Sequence, residues 1–301
     1  MIDSRPVCDY EGSNYQTEFW GQGEREYEER AEQIALKALL PKQGRWFLEL
    51  GAGAGRQTPL LAAFDHVVLM DYSRTQLGQA RARLGESGRY TYVAANVYHL
   101  PFASGVFNGA MMVRVLHHLV DAPAALKEIH GVIAPQGTFV LEFANKQHWK
   151  AIFRYWLRRQ TWNPFSPEPV EFAKLNFDFH PRAVRQWLAD AGFKVEHQRT
   201  VSHFRLGVLK RLLPAAALAA ADALAQPTGD WLQFSPSVFV RGSVGAKPNG
   251  KVKEPKELRE LFRCPICKGK LQSQPAEMQC VNCGRRWGFK DGIYDFKEEL
   301  S

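Results

Sequence analysis

The chain has 301 residues, 45% of them hydrophobic, and a formal net charge of +8. That length accommodates one large domain and a small one, and that apolar content builds a packed core, which excludes a disordered tail or a fibrous repeat. No uncharged apolar run is long enough to span a bilayer, and the opening Met1-Ile2-Asp3-Ser4-Arg5-Pro6 lacks the basic-then-apolar pattern of a signal peptide, so the expectation is a cytoplasmic protein.

Tyr15, Phe19 and Trp20 precede a helix expected from about Glu24 to Leu40, which contains Tyr27 and is closed by Pro41. Residues 1–40 thus read as a helical cap. Phe47-Leu48-Glu49-Leu50 then reads as a buried strand running into the turn Gly51-Ala52-Gly53-Ala54-Gly55-Arg56. A second apolar strand, Val67 to Met70, ends on Asp71, twenty positions after Gly51. In a doubly wound sheet the first turn holds part of a nucleoside-bearing cofactor, and an acid ending the second strand binds its ribose. The glycines let backbone pass close to a ligand. The dinucleotide fingerprint wants a glycine where Arg56 stands, so a pyrophosphate ligand is disfavoured. A tight turn without a ligand is the plain alternative.

Tyr90 to Val97 reads as the third strand and includes Asn96. The fourth, Gly109 to Val115, contains Arg114 and runs into Leu116-His117-His118-Leu119. Ala134-Pro135-Gln136-Gly137 turns into a fifth strand, Thr138 to Phe143. Residues 145–176 are too long for a simple connection and interleave Trp149, Phe153, Tyr155 and Trp156 with Lys150, Arg154, Arg158 and Arg159. Such a segment could stack on bases as a substrate lid. The helical spacing of 149, 153 and 156 favours instead a helix whose aromatics pack on the core. Phe177-Asp178-Phe179-His180-Pro181 opens a helix, with Asp178 or His180 as its cap. The leucine- and alanine-rich stretch 204–225, within a second insert at 202–230, fits a membrane surface or, as the favoured reading, helices covering an active site. Ser235 to Arg241 is the last strand of a first domain spanning 1–244, and Gly, Pro and Lys in 245–256 make a flexible linker with little to bury.

Cys264-x-x-Cys267 and Cys280-x-x-Cys283 are separated by twelve residues. Two such knuckles make a four-thiolate Zn2+ site, a zinc ribbon over 257–301. Disulfides are disfavoured in a cytoplasmic chain. With every ligand position a thiolate, the zinc is expected to be structural. Cys8 is left over as an ordinary thiol.

From about residue 40 to 242 the ordered set of motifs resembles the class I methyltransferases that use S-adenosylmethionine (SAM), of the type 11 and quinone-biosynthesis kind. The resemblance implies an α/β fold: a doubly wound, Rossmann-like, seven-stranded sheet with an inserted helical lid, its last strand antiparallel. It implies that Asp71 takes both ribose hydroxyls and that Tyr72 flanks the adenine. Asn96, where the family usually has Asp, would accept from the adenine amino group through its carbonyl oxygen. Glu49 would sit near the SAM amino group, and Arg114 near its carboxylate or an anionic substrate. Gly51, Ala52, Gly53, Gly55, Val97 and Tyr27 complete the expected cofactor contacts. The C-terminal ribbon resembles the small zinc-ribbon proteins that bind and stabilise methyltransferases of the translation apparatus, which implies a possible protein partner.

Methyl transfer from a sulfonium is a direct displacement, in which alignment alone can supply roughly 7–11 kcal/mol of the barrier. A base is needed only where the nucleophile holds its proton; the candidates are His117, His118, Asp178 and His180, with Glu142 nearby. Three functions stay open: a methyltransferase for a quinone- or lipid-like small molecule, slightly preferred; an RNA or translation-factor methyltransferase using the ribbon for substrate or partner; and a non-catalytic SAM-binding partner protein. Residues 246–301 carry 12 basic and 8 acidic side chains against 27 and 23 in the rest, so +4 sits on each part and the charge favours no one surface.

Overall fold

The computed structural model describes residues 5–13, 25–246 and 254–300. Tyr15, Phe19 and Trp20 lie outside the described residues. The expected first helix is α1, Glu26–Leu39, and its stripe of Tyr27, Ala31, Ala35, Leu36 and Leu39 is buried. The strands β1 (Gly44–Leu50), β2 (Phe64–Asp71), β3 (Tyr90–Ala94), β4 (Phe107–Met112) and β5 (Ile133–Ala144) are parallel, joined through α2 (Arg74–Leu84) and α3 (Ala122–Val132). β1 is central and buried from Trp46 to Leu50. This is why Trp46-Phe47-Leu48 reads as a continuous apolar run and not as an alternation, with Glu49 the one buried acid after it.

After β5 come α4 (Trp149–Trp156), a hairpin of β6 (Val170–Ala173) and β7 (Asn176–Asp178), α5 (Pro181–Asp190) and β8 (Phe193–Val201). Then follow α6 (Gly207–Leu212), α7 (Ala215–Ala225) and β9 (Ser237–Val244). β9 runs antiparallel to both β5 and β8. No helix among the described residues is long and apolar enough to cross a membrane.

The sheet has eleven strands, not the expected seven. Seven of them, in the order β3-β2-β1-β4-β5-β9-β8, are the expected set. The remaining four are β10 (Leu271–Ser273), β11 (Glu277–Cys280), β12 (Arg286–Lys290) and β13 (Ile293–Glu299) of the C-terminal module. β13 adds in parallel to the free edge of β3, Ile293 opposite Tyr92 and Asp295 opposite Ala94. An open edge presents unpaired N–H and C=O groups, and a fused strand satisfies them within the chain. Side chains seal the join. Phe262 stacks on Phe102 with ring centroids 6.0 Å apart, and Trp287 and Phe296 enter the same core cluster as Leu48. Lys268 pairs with Glu128 at 2.9 Å, and Arg74 with Asp295 at 3.0 Å.

Two further expectations are corrected. Residues 247–253 of the linker lie outside the described residues, but its far end is fastened: the Trp46 indole donates to the Pro255 carbonyl at 2.9 Å, and Pro255 is buried. The helix α4 forms, but its aromatic face points away from the core. Ala151, on the opposite face, is the residue that packs, while Phe153 and Trp156 are exposed. Ala151 lies on the face opposite Trp149, Phe153 and Trp156, so burying the small side chain turns the three large ones outward.

Candidate functional site

A cleft opens at the C-terminal ends of β1, β2 and β4, where ligands bind in open α/β sheets. The turn after β1 is left-handed at Gly51 (φ 67°) and Gly53 (φ 53°). A Cβ on Gly51 would sit 2.0 Å from Val115 Cγ2, so that glycine serves the turn and its packing against the β4 end. A Cβ on Gly53 would meet only Gln76 Oε1 at 3.9 Å, which leaves its backbone open to the cleft.

Gly53 N–H donates to Asp71 Oδ2 at 2.8 Å, and Ser73 N–H donates to Oδ1 at 2.9 Å. These bonds fix the carboxylate at the strand end. Burial nevertheless raises its pKa above the ordinary value. Burial pushes Glu49 up to about 7; Thr58 Oγ1 donates to its Oε2 at 2.6 Å. Tyr72, Asn96 and Val97 line the same cleft. Asn96 Oδ1 already accepts from Tyr98 N–H at 3.0 Å, which leaves it one further lone pair. Lys297 of the C-terminal module reaches within 5.0 Å of the Tyr72 ring.

Arg114 lines the cleft with a left-handed backbone (φ 59°) and donates its N–H to Glu142 Oε2 at 2.9 Å. Its guanidinium bonds Glu32, which also pairs with Arg56 at 2.9 Å. Burial pushes the Glu32 carboxyl up, but the two guanidiniums outweigh it and hold its pKa below the ordinary value. The sequence reading missed Glu32. The available signal was an acid beside Ala31 in the apolar stripe of α1. It also missed the segment Pro6, Val7, Cys8 and Tyr10, which lines the cleft without any periodicity to announce it. Glu11 fastens that segment to the start of α2 by accepting from Arg74 N–H at 2.8 Å and Thr75 Oγ1 at 2.6 Å. Burial raises the Cys8 thiol, so it is not an activated nucleophile.

Of the four expected bases, the cleft takes in only His118. Its Nδ1 faces the Leu175 carbonyl at 2.9 Å and its Nε2 faces the Tyr10 hydroxyl at 3.1 Å. With Nδ1 protonated toward the carbonyl, Nε2 is the acceptor. Burial lowers its pKa, which keeps the ring neutral near neutral pH. His117 is buried further, its pKa pushed well below the ordinary value by burial, then by His118 and Arg114. His180 caps α5, accepting from Arg182 N–H at 3.1 Å. Asp178, on β7, is raised by burial to about 6. Neither it nor His180 lines the cleft. Tyr27 is likewise elsewhere: it donates to Asp222 at 3.1 Å and accepts from Phe204 N–H at 3.0 Å, pinning α1 to α7. Gly55 packs toward Leu84. Leu218 and Ala219 of α7 bury against the α1 side of the core, and no residue of 204–225 lines the cleft among the described residues.

The Cys264, Cys267, Cys280 and Cys283 sulfurs lie within 4.8 Å of one another. Three of the separations are 3.4, 3.5 and 3.8 Å. A tetrahedron with metal–sulfur arms of about 2.3 Å has edges of about 3.8 Å, so the cluster fits a tetrathiolate metal site.

Residues 48–141 match the family model for a methyltransferase domain. The matched segment holds the glycine turn, Asp71, Asn96, Arg114 and His118. Two curated relatives are a demethylmenaquinone methyltransferase of Clavibacter sepedonicus, 28% identical over 49% of this chain and 52% of its own length, and the O-methyltransferase cnsE of Penicillium expansum, 32% identical over 52% and 55%. The chain thus spans about half the length of these relatives. Among solved structures, a chain from the complex of the Haloferax volcanii Trm112 methyltransferase activator superposes with a TM-score of 0.54 at 16% identity, covering 77% of this chain and 96% of that one. At that identity the likeness concerns the fold alone. The fold is accordingly the Rossmann-like sheet expected from the motifs.

Proposed function

We propose that the chain is a SAM-dependent methyltransferase whose acceptor is a quinone- or lipid-like small molecule. The observation that carries the reading is the Asp71 carboxylate, held at the β2 end by two backbone N–H groups beside the open backbone of Gly53. Ribose hydroxyls suit that carboxylate, and Tyr72, Asn96 and Val97 bound the space an adenine would fill. Glu49 would hold the amino group of the methionine end. SAM supplies an electrophilic methyl group. Glu32 holds Arg114 and Arg56 against the cleft wall, which keeps both guanidiniums from swinging across it. His118, neutral and aligned by Leu175, would take a proton from the acceptor directly or through Tyr10. The relatives' printed activities, on demethylmenaquinone and in O-methylation, support a small acceptor.

The four cysteines would hold Zn2+, and with four thiolates the ion is structural. A second reading, an RNA or translation-factor methyltransferase, is favoured by the one observation that a zinc-ribbon-like module continues the sheet at β3.

The test is transfer of radiolabelled methyl from SAM into separated lipid, small-molecule, protein and RNA fractions of a host extract, with Asp71→Ala as control. Label in the lipid or small-molecule fraction, lost in the variant, is the expected outcome. Label in RNA or protein would move the reading to the second. Binding of SAM with no labelled fraction would leave a non-catalytic SAM-binding protein.

A further inference from the structure

The outward face of α4 does not stand alone. The Trp149 N–H donates to the Phe234 carbonyl at 2.8 Å, and the Lys150 ammonium donates to the Arg205 carbonyl just before α6. Three segments, 149–157, 205–213 and 231–234, therefore form one continuous surface. Their exposed side chains are large and apolar: Phe153 is 57% exposed, Trp156 70%, Leu212 73% and Trp231 79%. None of α6 is buried. A patch of this size needs an occupant.

The charges within the first two segments have one sign. No Asp or Glu occurs between residues 146 and 167 or between 203 and 221, while Lys150, Arg154, Arg158, Arg159 and Arg211 do. Asp230 borders the third segment, and Glu28 of α1 pairs with Arg205 at 3.6 Å and Lys210 at 3.0 Å, which leaves the α4 side the more strongly positive rim. The occupant is therefore apolar within and anionic at its rim. A second copy would bring the same positive charges against these. Nucleic acid would use the cations and stack on the tryptophans, but Val208, Leu212 and Leu232 offer no ring for a base. Hydrocarbon accepts aromatic and aliphatic side chains alike. Trp at such a depth sits at the headgroup level, and the arginines meet lipid phosphates.

We infer that this surface docks the protein, peripherally, on an anionic lipid bilayer. The surface lies on the segment that leaves the C-terminal end of β5, at the same end of the sheet as the cleft. Its existence does not depend on what the cleft holds, so the test requires no SAM and no methyl acceptor.

The experiment is co-sedimentation of the full chain with vesicles of phosphatidylglycerol and phosphatidylcholine in equal parts, and with phosphatidylcholine alone. The chain should pellet with the anionic vesicles and much less with the neutral ones. The double variant Phe153→Ser/Trp156→Ser should weaken this binding on the order of tenfold or more, and so should Arg158→Glu/Arg159→Glu. Circular dichroism melts should match the parent, because the replaced side chains are exposed. No binding to anionic vesicles overturns the inference. So does binding that salt abolishes but Phe153→Ser/Trp156→Ser leaves unchanged, which is charge attraction alone. A dimer that the serine variant dissociates, or RNA binding that it abolishes, without vesicle binding by the parent, assigns the surface to those partners instead.

Discussion

The segment 48–141, which matches the methyltransferase model, and the segment 145–235 that follows it use the same residue types to opposite ends. In the first, Leu48, Phe107 and Phe139 are fully buried, and even the acids Glu49 and Asp71 are held by specific donors. In the second, Trp149, Phe153, Trp156 and Trp231 face outward, Ala151 is the buried residue of α4, and α6 has none. A parallel sheet must be covered on both faces, which leaves its residues little choice. A helix appended at the sheet's end can turn either face inward, and here the apolar one remains free for a partner. The C-terminal module resembles the first region: it joins the sheet and its core.

That resemblance can be broken most strongly at the cysteines. Cys280→Ser, or chelation of the metal, should unfold 257–300, because a structural zinc contributes on the order of 10 kcal/mol to so small a module. With β13 and Lys297 gone from beside β3 and Tyr72, SAM affinity measured by calorimetry should fall. An unchanged proteolysis pattern after chelation would show that the sheet join holds the module without metal.

A paired substitution sharpens the contrast between the other two regions. Phe139→Ala should cost about 3–5 kcal/mol by denaturant unfolding, while Phe153→Ala should change stability by no more than about 0.5 kcal/mol. A large loss at Phe153 would mean that the α4 face is covered after all.

The smallest expected effect is electrostatic. Glu49 has its pKa raised to about 7 by burial, so the protonated form is the one favoured in the folded chain. Its contribution to stability is complete below its ordinary carboxylate range and is lost as pH rises through about 7, at about 1.4 kcal/mol per pH unit. Without ligand, the melting temperature should therefore decline across that window. SAM affinity should rise over it as the carboxylate becomes available to an ammonium. Glu49→Gln should flatten both profiles.

The turn after β1 and the acid ending β2 were legible from residue types because their constraints are local. A glycine at a left-handed turn and an acid ending a buried strand leave marks at fixed spacing. Glu32 left no such mark, since its partners Arg56 and Arg114 lie 24 and 82 positions away. The bases illustrate the same limit. Four were credible by sequence position, yet only His118 lines the cleft, because the β6–β7 hairpin presents the Leu175 carbonyl to it while His180 is used up as a cap.

The sequence by itself determined the five strands from β1 to β5, the glycine turn after β1 and the four-cysteine cluster, for each follows from periodicity or spacing between near neighbours. Only the tertiary structure decided that the ribbon's last strand extends the sheet at β3, and that the helices at 204–225 pack on α1 instead of roofing the cleft. It alone decided that the aromatic face of α4 looks outward. Each of these is a choice between surfaces of similar composition, settled by which backbone edge needs hydrogen bonds and which side chains are small enough to let elements meet.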